Sequence, residues 1–389
     1  MFRQVACYNP PRLQEEILIV AAEASADLHA ARALEELRKI RPGVRAFGVG
    51  GPRLRAAGLE ALYPAEDLNV MGIADVLPKI PTILRVLWGL RSEAERRRPT
   101  VALLVDSPDF NLRLAKHLKR LGVKVVYYVS PMIWAWRRGR ARKIAKVVDR
   151  MLCILPFEEQ FYEGTGVSAR FVGHPFAERA LPGDSASYRL ALGLPAGRTT
   201  IALLPGSRRG EVDRIFPPML EAAERIKARH PDVQFVVPVA VTLREGALLP
   251  ALSRHAALDV HLVPGRADEV VGASDAAIVK SGTSTLETAL MQRPMVVVYK
   301  MAWLSYWVAR LLVRMSHFAL VNILAGRTVV PELLQQEASP ERMALEIERL
   351  LTDPGARRAQ LDGIAEVRRS LGEPGAAHRV AEEIDGAFP

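Results

Sequence analysis

Ile201-Ala-Leu-Leu-Pro-Gly-Ser-Arg-Arg-Gly-Glu211 is a short apolar run that stops at a turn of small residues and then opens a helix. An uninterrupted apolar strand suits a parallel sheet covered on both faces. A strand that passes to a helix through Gly206 and Ser207 is one βα unit, and the unsatisfied amides at the start of such a helix favour a bound phosphate. Arg208 adds a guanidinium that can pair a phosphate through two parallel hydrogen bonds. The competing reading is a plain solvated turn, because short glycine motifs recur by chance.

The same alternation of apolar strand and amphipathic helix extends outward in both directions. Upstream lie Ile17 to Ala21, Ala46 to Val49, Val101 to Val105, Val123 to Val129 and Met151 to Leu155, with helices such as Leu28 to Ile40 and Asn111 to Leu121 between them. Downstream lie Gln234 to Val239, Val260 to Val263, Ala276 to Val279 and Met295 to Tyr299. This predicts an α/β protein of two Rossmann-like, doubly wound domains. Ligands in such sheets bind beyond the carboxyl ends of the strands, so the two domains are expected to face one cleft. Periodicity breaks in the Pro/Gly/Ser-rich segment Gly173 to Arg198, which gives the seam. The expected organisation is an extension over 1–16, a first domain over 17–185, a second over 186–365, and a C-terminal helix over 366–389 that packs back on the domains.

Composition narrows the class. The 389 residues are 49% hydrophobic and 25% charged, as in ordinary globular proteins, and 53 Lys plus Arg against 43 Asp plus Glu give a formal charge of +10. That sign fits a phosphorylated substrate, an anionic membrane face or nucleic acid. Cys7 and Cys153 are far apart and form no ligand motif, so neither a disulfide framework nor zinc is indicated. The eight histidines form no metal-binding pair. No run reaches the roughly 18 apolar residues that a membrane span needs.

A second phosphate-friendly turn, Ser281-Gly-Thr-Ser-Thr-Leu-Glu287, follows the run Ala276 to Val279. The hydroxyls and amides of Ser281, Gly282 and Thr283 suit another phosphate, and Glu287 suits the hydroxyls of a ribose or, alternatively, a helix cap. Two such turns in one domain point to a nucleoside diphosphate. In the first domain, Ala22-Glu-Ala-Ser-Ala-Asp27 and Val105-Asp-Ser-Pro-Asp-Phe-Asn111 place carboxylates at strand ends. Asp106, directly after a buried strand, suits a general base, since partial burial raises a carboxylate's proton affinity. Asp27 is open to catalysis or to capping.

Tyr127-Tyr-Val-Ser-Pro-Met-Ile-Trp-Ala-Trp136 runs into Arg137 and further basic residues. Ser130, Trp134, Trp136 and Arg137 suit a phosphorylated, partly apolar acceptor better than nucleic acid, because no nucleic-acid module surrounds them. The segment Leu68 to Leu90, with Val70, Met71, Ile73, Leu77, Ile80, Ile83 and Leu84, carries apolar surface flanked by cations. Core packing and an interfacial helix both account for it. Met301 to Val313 has the same character.

Together the motifs resemble lipid-A-disaccharide synthase, an inverting glycosyltransferase of the two-Rossmann-domain GT-B type. The resemblance rests on Ala22-Glu-Ala-Ser-x-Asp27, Gly48-Val-Gly-Gly-Pro52, Val70-Met-Gly-Ile73, Asp106-x-Pro-Asp-Phe-Asn111, Val129-Ser-Pro-x-x-Trp-Ala-Trp-Arg137, Phe171-Val-Gly-His-Pro175, Leu204-Pro-Gly-Ser-Arg208, Ser281-Gly-Thr-x-x-Leu-Glu287 and Asn322-x-Leu-Ala-Gly-Arg327. It implies transfer of a 2,3-diacylglucosamine from UDP to the 6-hydroxyl of 2,3-diacylglucosamine 1-phosphate. No metal and no cofactor are implied, the UDP-sugar being a substrate. Arg208, Glu287, Asn322 and Arg327 would serve the donor, Glu23, Asp27 and Asp106 would lie near the reacting sugars, and Val70 to Leu87 would touch the inner face of the cytoplasmic membrane. The expected protein is cytoplasmic and peripheral and binds no nucleic acid, with a homodimer left open. Where the family usually has Gly in the first loop this chain has Ala26, which requires a right-handed backbone there. Two other readings stay in play: a UDP-N-acetylglucosamine 2-epimerase-like isomerase, and a non-catalytic basic binding protein.

Overall fold

The computed structural model describes residues 15–68, 73–133, 138–178, 183–240, 243, 246–301 and 316–389, with the backbone alone for 73–77 and 138. Its first sheet contains β1 (Glu16–Ala21), β2 (Arg45–Gly50), β3 (Glu60–Pro64), β4 (Val101–Val105), β5 (Lys124–Tyr128), β6 (Arg150–Cys153) and β7 (Ser168–Phe171). All pairings are parallel, in the order β3-β2-β1-β4-β5-β6-β7. Successive residues of a strand point to opposite faces. Ile17, Ile19 and Ala21 therefore join Ala30, Leu34 and Leu37 of the helix Ala24–Ile40 in one core. Leu18 and Val20 join Val86, Leu90, Leu114 and Leu118 on the other face.

The second sheet contains β8 (Thr200–Leu204), β9 (Gln234–Val239), β10 (Val260–Pro264), β11 (Ala276–Lys280), β12 (Met295–Tyr299) and β13 (Glu332–Leu334), again all parallel, in the order β10-β9-β8-β11-β12-β13. On one of its faces Ile201, Leu203 and Ile278 pack with Phe216 and Met219 of the helix Arg209–Arg229 and Ile347 of the helix Pro340–Thr352. Both sheets are thus the doubly wound α/β arrangement read from the alternation of strands and helices. The apolar periodicity does not mark β3, β7 or β13. Each lies at a sheet edge, and β3 and β7 carry partly exposed side chains that weaken the continuous apolar signal.

The chain forms two compact units, Met1–Glu178 with Gly372–Pro389, and Arg179–Leu371. The divisions fall at 178/179 and 371/372. The last helix, Ala376–Asp385, packs on Ala24–Ile40, within the first unit. Polar ties hold it there: Arg379 Nε donates to Val172 O at 2.7 Å, Arg150 Nη1 to Glu383 Oε2 at 2.8 Å, and Arg41 Nε to Asp385 Oδ1 at 2.7 Å. Ala26 lies inside the first helix with no positive φ, which its side chain requires.

Candidate active site

Strand order reverses once in each sheet, between β1 and β4 in the first and between β8 and β11 in the second. A crevice opens at such a reversal, because the helices that follow the two strands leave to opposite faces. Ala21 pairs with Val105, so Ala22-Glu23 and Asp106 leave neighbouring strand ends. Leu204 pairs with Val279, so the Gly206 and Ser281 turns leave neighbouring strand ends as well. Both sets of residues singled out in the sequence stand at the reversal points.

Asp106 has φ +50° and Ser107 φ +44°, in the left-handed region that side chains other than glycine enter at a cost. The main chain of Asp106 is clamped on both sides. Its N–H donates to Tyr128 O at 3.0 Å, while its carbonyl accepts from Asn111 Nδ2 at 2.8 Å and from Tyr127 Oη. Tyr127 and Asn111 are both fully buried, and burial holds the Tyr127 hydroxyl protonated and hence a donor. A strained backbone persists only where its surroundings over-determine it, and this clamp does so. The carboxyl itself is half-buried. Desolvation raises its pKa above the ordinary aspartate value, partly opposed by the Ser107 amide. Val129, with φ +69°, ends β5 beside it and explains why that strand stops one residue short of the expected Val129.

Glu23 stands just before the helix Ala24–Ile40 and lines a cavity of about 400 Å³ together with Gly51, Arg53 and Glu66. Asp27 borders the same cavity but is buried and engaged with the main chain. Its Oδ1 accepts from Gly51 N at 2.7 Å and Leu54 N at 3.1 Å, and its Oδ2 from Arg53 N at 3.0 Å. Of the two roles open to it, the geometry supports capping: Asp27 fixes the start of the helix Pro52–Ala56.

In the second unit Gly206 has φ +106°, a conformation that favours glycine. Ser207 follows it, and Arg208 is the residue before the helix Arg209–Arg229, with its side chain 62% exposed. Ser281 Oγ donates to Phe318 O at 3.2 Å, Gly282 precedes the helix Thr283–Leu290, and Glu287 is half-buried on that helix. The first amides of both helices lie at the reversal point. Two residues given no role in the sequence reading belong here. Glu211 Oε1 is 3.6 Å from Arg208 Nη1 and 3.1 Å from Lys280 Nζ, and Lys280 is the last residue of β11.

Asn322 departs from the expectation that it serves the donor directly. It is fully buried, its Nδ2 donates to Val330 O at 2.9 Å and Glu332 Oε1 at 2.7 Å, and its Oδ1 accepts from Val329 N and Val330 N. The amide is committed to holding the segment that leads into β13. Arg327 is exposed and paired with Glu366. Ser130 is buried and shares a 2.9 Å hydrogen bond with Tyr162 Oη.

Val70, Met71, Trp134, Trp136 and Arg137 lie outside the described residues, as do the side chains of Ile73 and Leu77 and nearly all of Met301 to Val313. Ile83 is half-buried, while Ile80 and Leu84 are exposed on the helix Ile73–Arg97. Trp88, not singled out in the sequence, continues that stripe four residues on and is 65% exposed. The signal for it is the i, i+4, i+8 spacing of Ile80, Leu84 and Trp88. No helix among the described residues is long and apolar enough to cross a membrane.

A family model described as lipid-A-disaccharide synthetase matches residues 17–380. The lipid-A-disaccharide synthase of Anaeromyxobacter dehalogenans (strain 2CP-C) is 71% identical over 378 residues, covering 97% of this chain and 99% of the relative. Among solved structures, the glycotransferase of kitacinnamycin is 17% identical with a TM-score of 0.62, over 96% of this chain and 99% of that one. A UDP-GlcNAc 2-epimerase from Neisseria meningitidis bound to UDP-GlcNAc is 11% identical with a TM-score of 0.59, over 95% and 98%. At such identities the two structures speak for the fold, two Rossmann-like domains of the GT-B type, and for nothing finer.

Proposed function

The chain belongs to the lipid-A-disaccharide synthetase family, and from that premise we propose how its residues divide the work. The reaction moves a 2,3-diacylglucosamine from UDP to the 6-hydroxyl of 2,3-diacylglucosamine 1-phosphate, with inversion, and releases UDP. The epimerase reading is not favoured: its likeness is one of fold at 11% identity, against 71% to a synthase.

In the proposal the Asp106 carboxylate accepts the proton of the acceptor O6–H as that oxygen bonds to C1 of the donor sugar. The C1–O bond to the diphosphate breaks on the opposite face, and its electron pair leaves with UDP. Arg208 and the first amides of the helices Arg209–Arg229 and Thr283–Leu290 meet the charge that develops on the leaving oxygen. The leaving charge is thus met by the chain itself, and no metal enters the step. Glu23, in its cavity beside the first reversal point, orients the acceptor, and Asp27 and Asn322 are positioning residues. Glu287 receives the ribose hydroxyls.

The stripe of Ile80, Leu84 and Trp88, with exposed Arg85 on the same helix, is the face by which the protein rests on an anionic membrane surface and reaches its acylated substrates. The observation that carries the whole reading is the partition of charge between the reversal points: a desolvated carboxyl at β1/β4, and an arginine with bare helix starts at β8/β11.

The test is incubation of the protein with UDP-2,3-diacylglucosamine and 2,3-diacylglucosamine 1-phosphate. UDP and a disaccharide 1-phosphate should form together. Folded, UDP-binding protein that releases no UDP from this pair would overturn the reading.

A further inference from the structure

We propose that Lys280 is a second diphosphate-binding cation of the donor site, held at its post by Glu211. The inference deepens the reading that the Gly206 turn receives UDP and rests on it.

Three observations converge on the amine. The first is its place. Lys280 ends β11, directly at the strand reversal, and its side chain runs between the two turns. A Cβ built on Gly206 would stand 3.5 Å from Lys280 Cδ, and one built on Gly282 would stand 3.5 Å from Lys280 Nζ. Both turns are therefore bare of side chain just where the lysine passes, and an anion seated against their amides lies beside the ammonium group.

The second is the charge arrangement. One carboxylate oxygen, Glu211 Oε1, faces both Lys280 Nζ at 3.1 Å and Arg208 Nη1 at 3.6 Å. Two cations share one anion, which leaves the cluster a net positive charge for a ligand to complete. An ammonium has three donors, so the pairing with Glu211 leaves others for phosphate oxygens.

The third is burial. The Lys280 side chain is only 16% exposed and its amine sits 5.6 Å from the centroid of the Tyr299 ring, whereas Arg208 reaches into solvent at 62% exposed. A mostly buried ammonium with fixed neighbours is already oriented before the nucleotide arrives, and little freedom is lost when it binds. Arg208 supplies a mobile clamp, Lys280 a fixed point charge, and Glu211 positions both.

The experiment measures binding of uridine, UMP and UDP to the wild type, to Lys280→Met, to Lys280→Arg and to the double variant Lys280→Met/Glu211→Gln. Removing one member of a buried pair destabilises a fold, whereas removing both charges together is far milder, so the double variant keeps the question answerable if Lys280→Met fails to fold. We expect UDP affinity to fall about tenfold or more in each methionine variant, uridine affinity to stay within about twofold, and arginine to restore most of the loss. The salt dependence of UDP binding should also become shallower by about one ion. Unchanged UDP affinity in a folded methionine variant overturns the inference, and so does an equal loss for uridine and UDP, which would mark a purely structural role. Absence of UDP binding in the wild type would instead overturn the assignment of the donor site itself.

Discussion

The reversal points at β1/β4 and β8/β11 hold the same position in two similar sheets, yet they differ in charge and in backbone. The first carries Glu23 and Asp106, and its turn enters left-handed space with aspartate and serine, at φ +50° and +44°. The second carries Arg208 and Lys280, and its turn reaches φ +106° through Gly206. A site that must seat a phosphate needs bare backbone and positive charge, so glycine serves it. The base proposed at Asp106 must keep its side chain, so in that reading the first turn tolerates strain, which the clamp of Tyr127 and Asn111 holds. Topology supplies the crevice in both units, and local chemistry divides the labour.

The acidic reversal point is the more sensitive of the two. Asp106→Asn keeps the shape of the turn and removes the base, so turnover should fall about 10²–10⁴-fold while UDP affinity is unchanged; steady-state kinetics with nucleotide titration reads both. Wild-type turnover in this variant would move the base to Glu23. On the basic side, Arg208→Gln should lower kcat/KM by roughly 10–10²-fold and weaken UDP binding with it, a joint loss that the acidic variant does not show.

Exchanging backbone character sharpens the contrast at smaller amplitude. Gly206→Ala places a Cβ 3.2 Å from Glu211 Oε2 at a φ that disfavours side chains, and should cost about 1–2 kcal/mol in a denaturant titration. Ser107→Gly should be neutral or stabilising by up to about 1 kcal/mol, because it relieves the same kind of strain. The smallest effect is in pH. Burial raises the Asp106 pKa above its unfolded value, so the folded state binds more protons in that window, and stability falls as pH rises through it. Asp106→Asn should therefore melt slightly higher than the wild type at neutral pH, with the difference closing below the ordinary carboxylate range. The acid limb of wild-type activity should likewise be displaced upward from the ordinary aspartate value.

How much of this was legible in the sequence follows from where each residue is buried. Central strands such as Val101–Val105 are covered on both faces and read as unbroken apolar runs, which placed the strands and the turns that follow them; the strand order, and with it the reversal points, came only from the fold. Edge strands such as Ser168–Phe171 mix exposed and covered residues and give no such run. Lys280 at the end of an apolar strand looks like a solvated terminus, and only its approach to Glu211 and to both glycine turns assigns it elsewhere. Asp27 and Asn322 have residue types common in sites. The Asp27 oxygens are taken by main-chain groups distant in sequence, and the Asn322 side chain by the next loop and the Glu332 carboxylate, which no local pattern discloses.

The return of the last helix to the first unit has a consequence for how the protein comes into being. Val380, Ala381 and Ile384 complete a core begun by Ile17, Ile19 and Leu34, yet the whole of Arg179–Leu371 is synthesised in between. At roughly 5–20 residues per second, the ribosome leaves that apolar face uncovered for roughly 10–40 s. The second unit, whose residues run without interruption, can finish folding first. The first unit, although it emerges earlier, is completed last, and a chain cut after Leu371 would lose the integrity of the half that holds Asp106 while leaving the half that holds Arg208 entire.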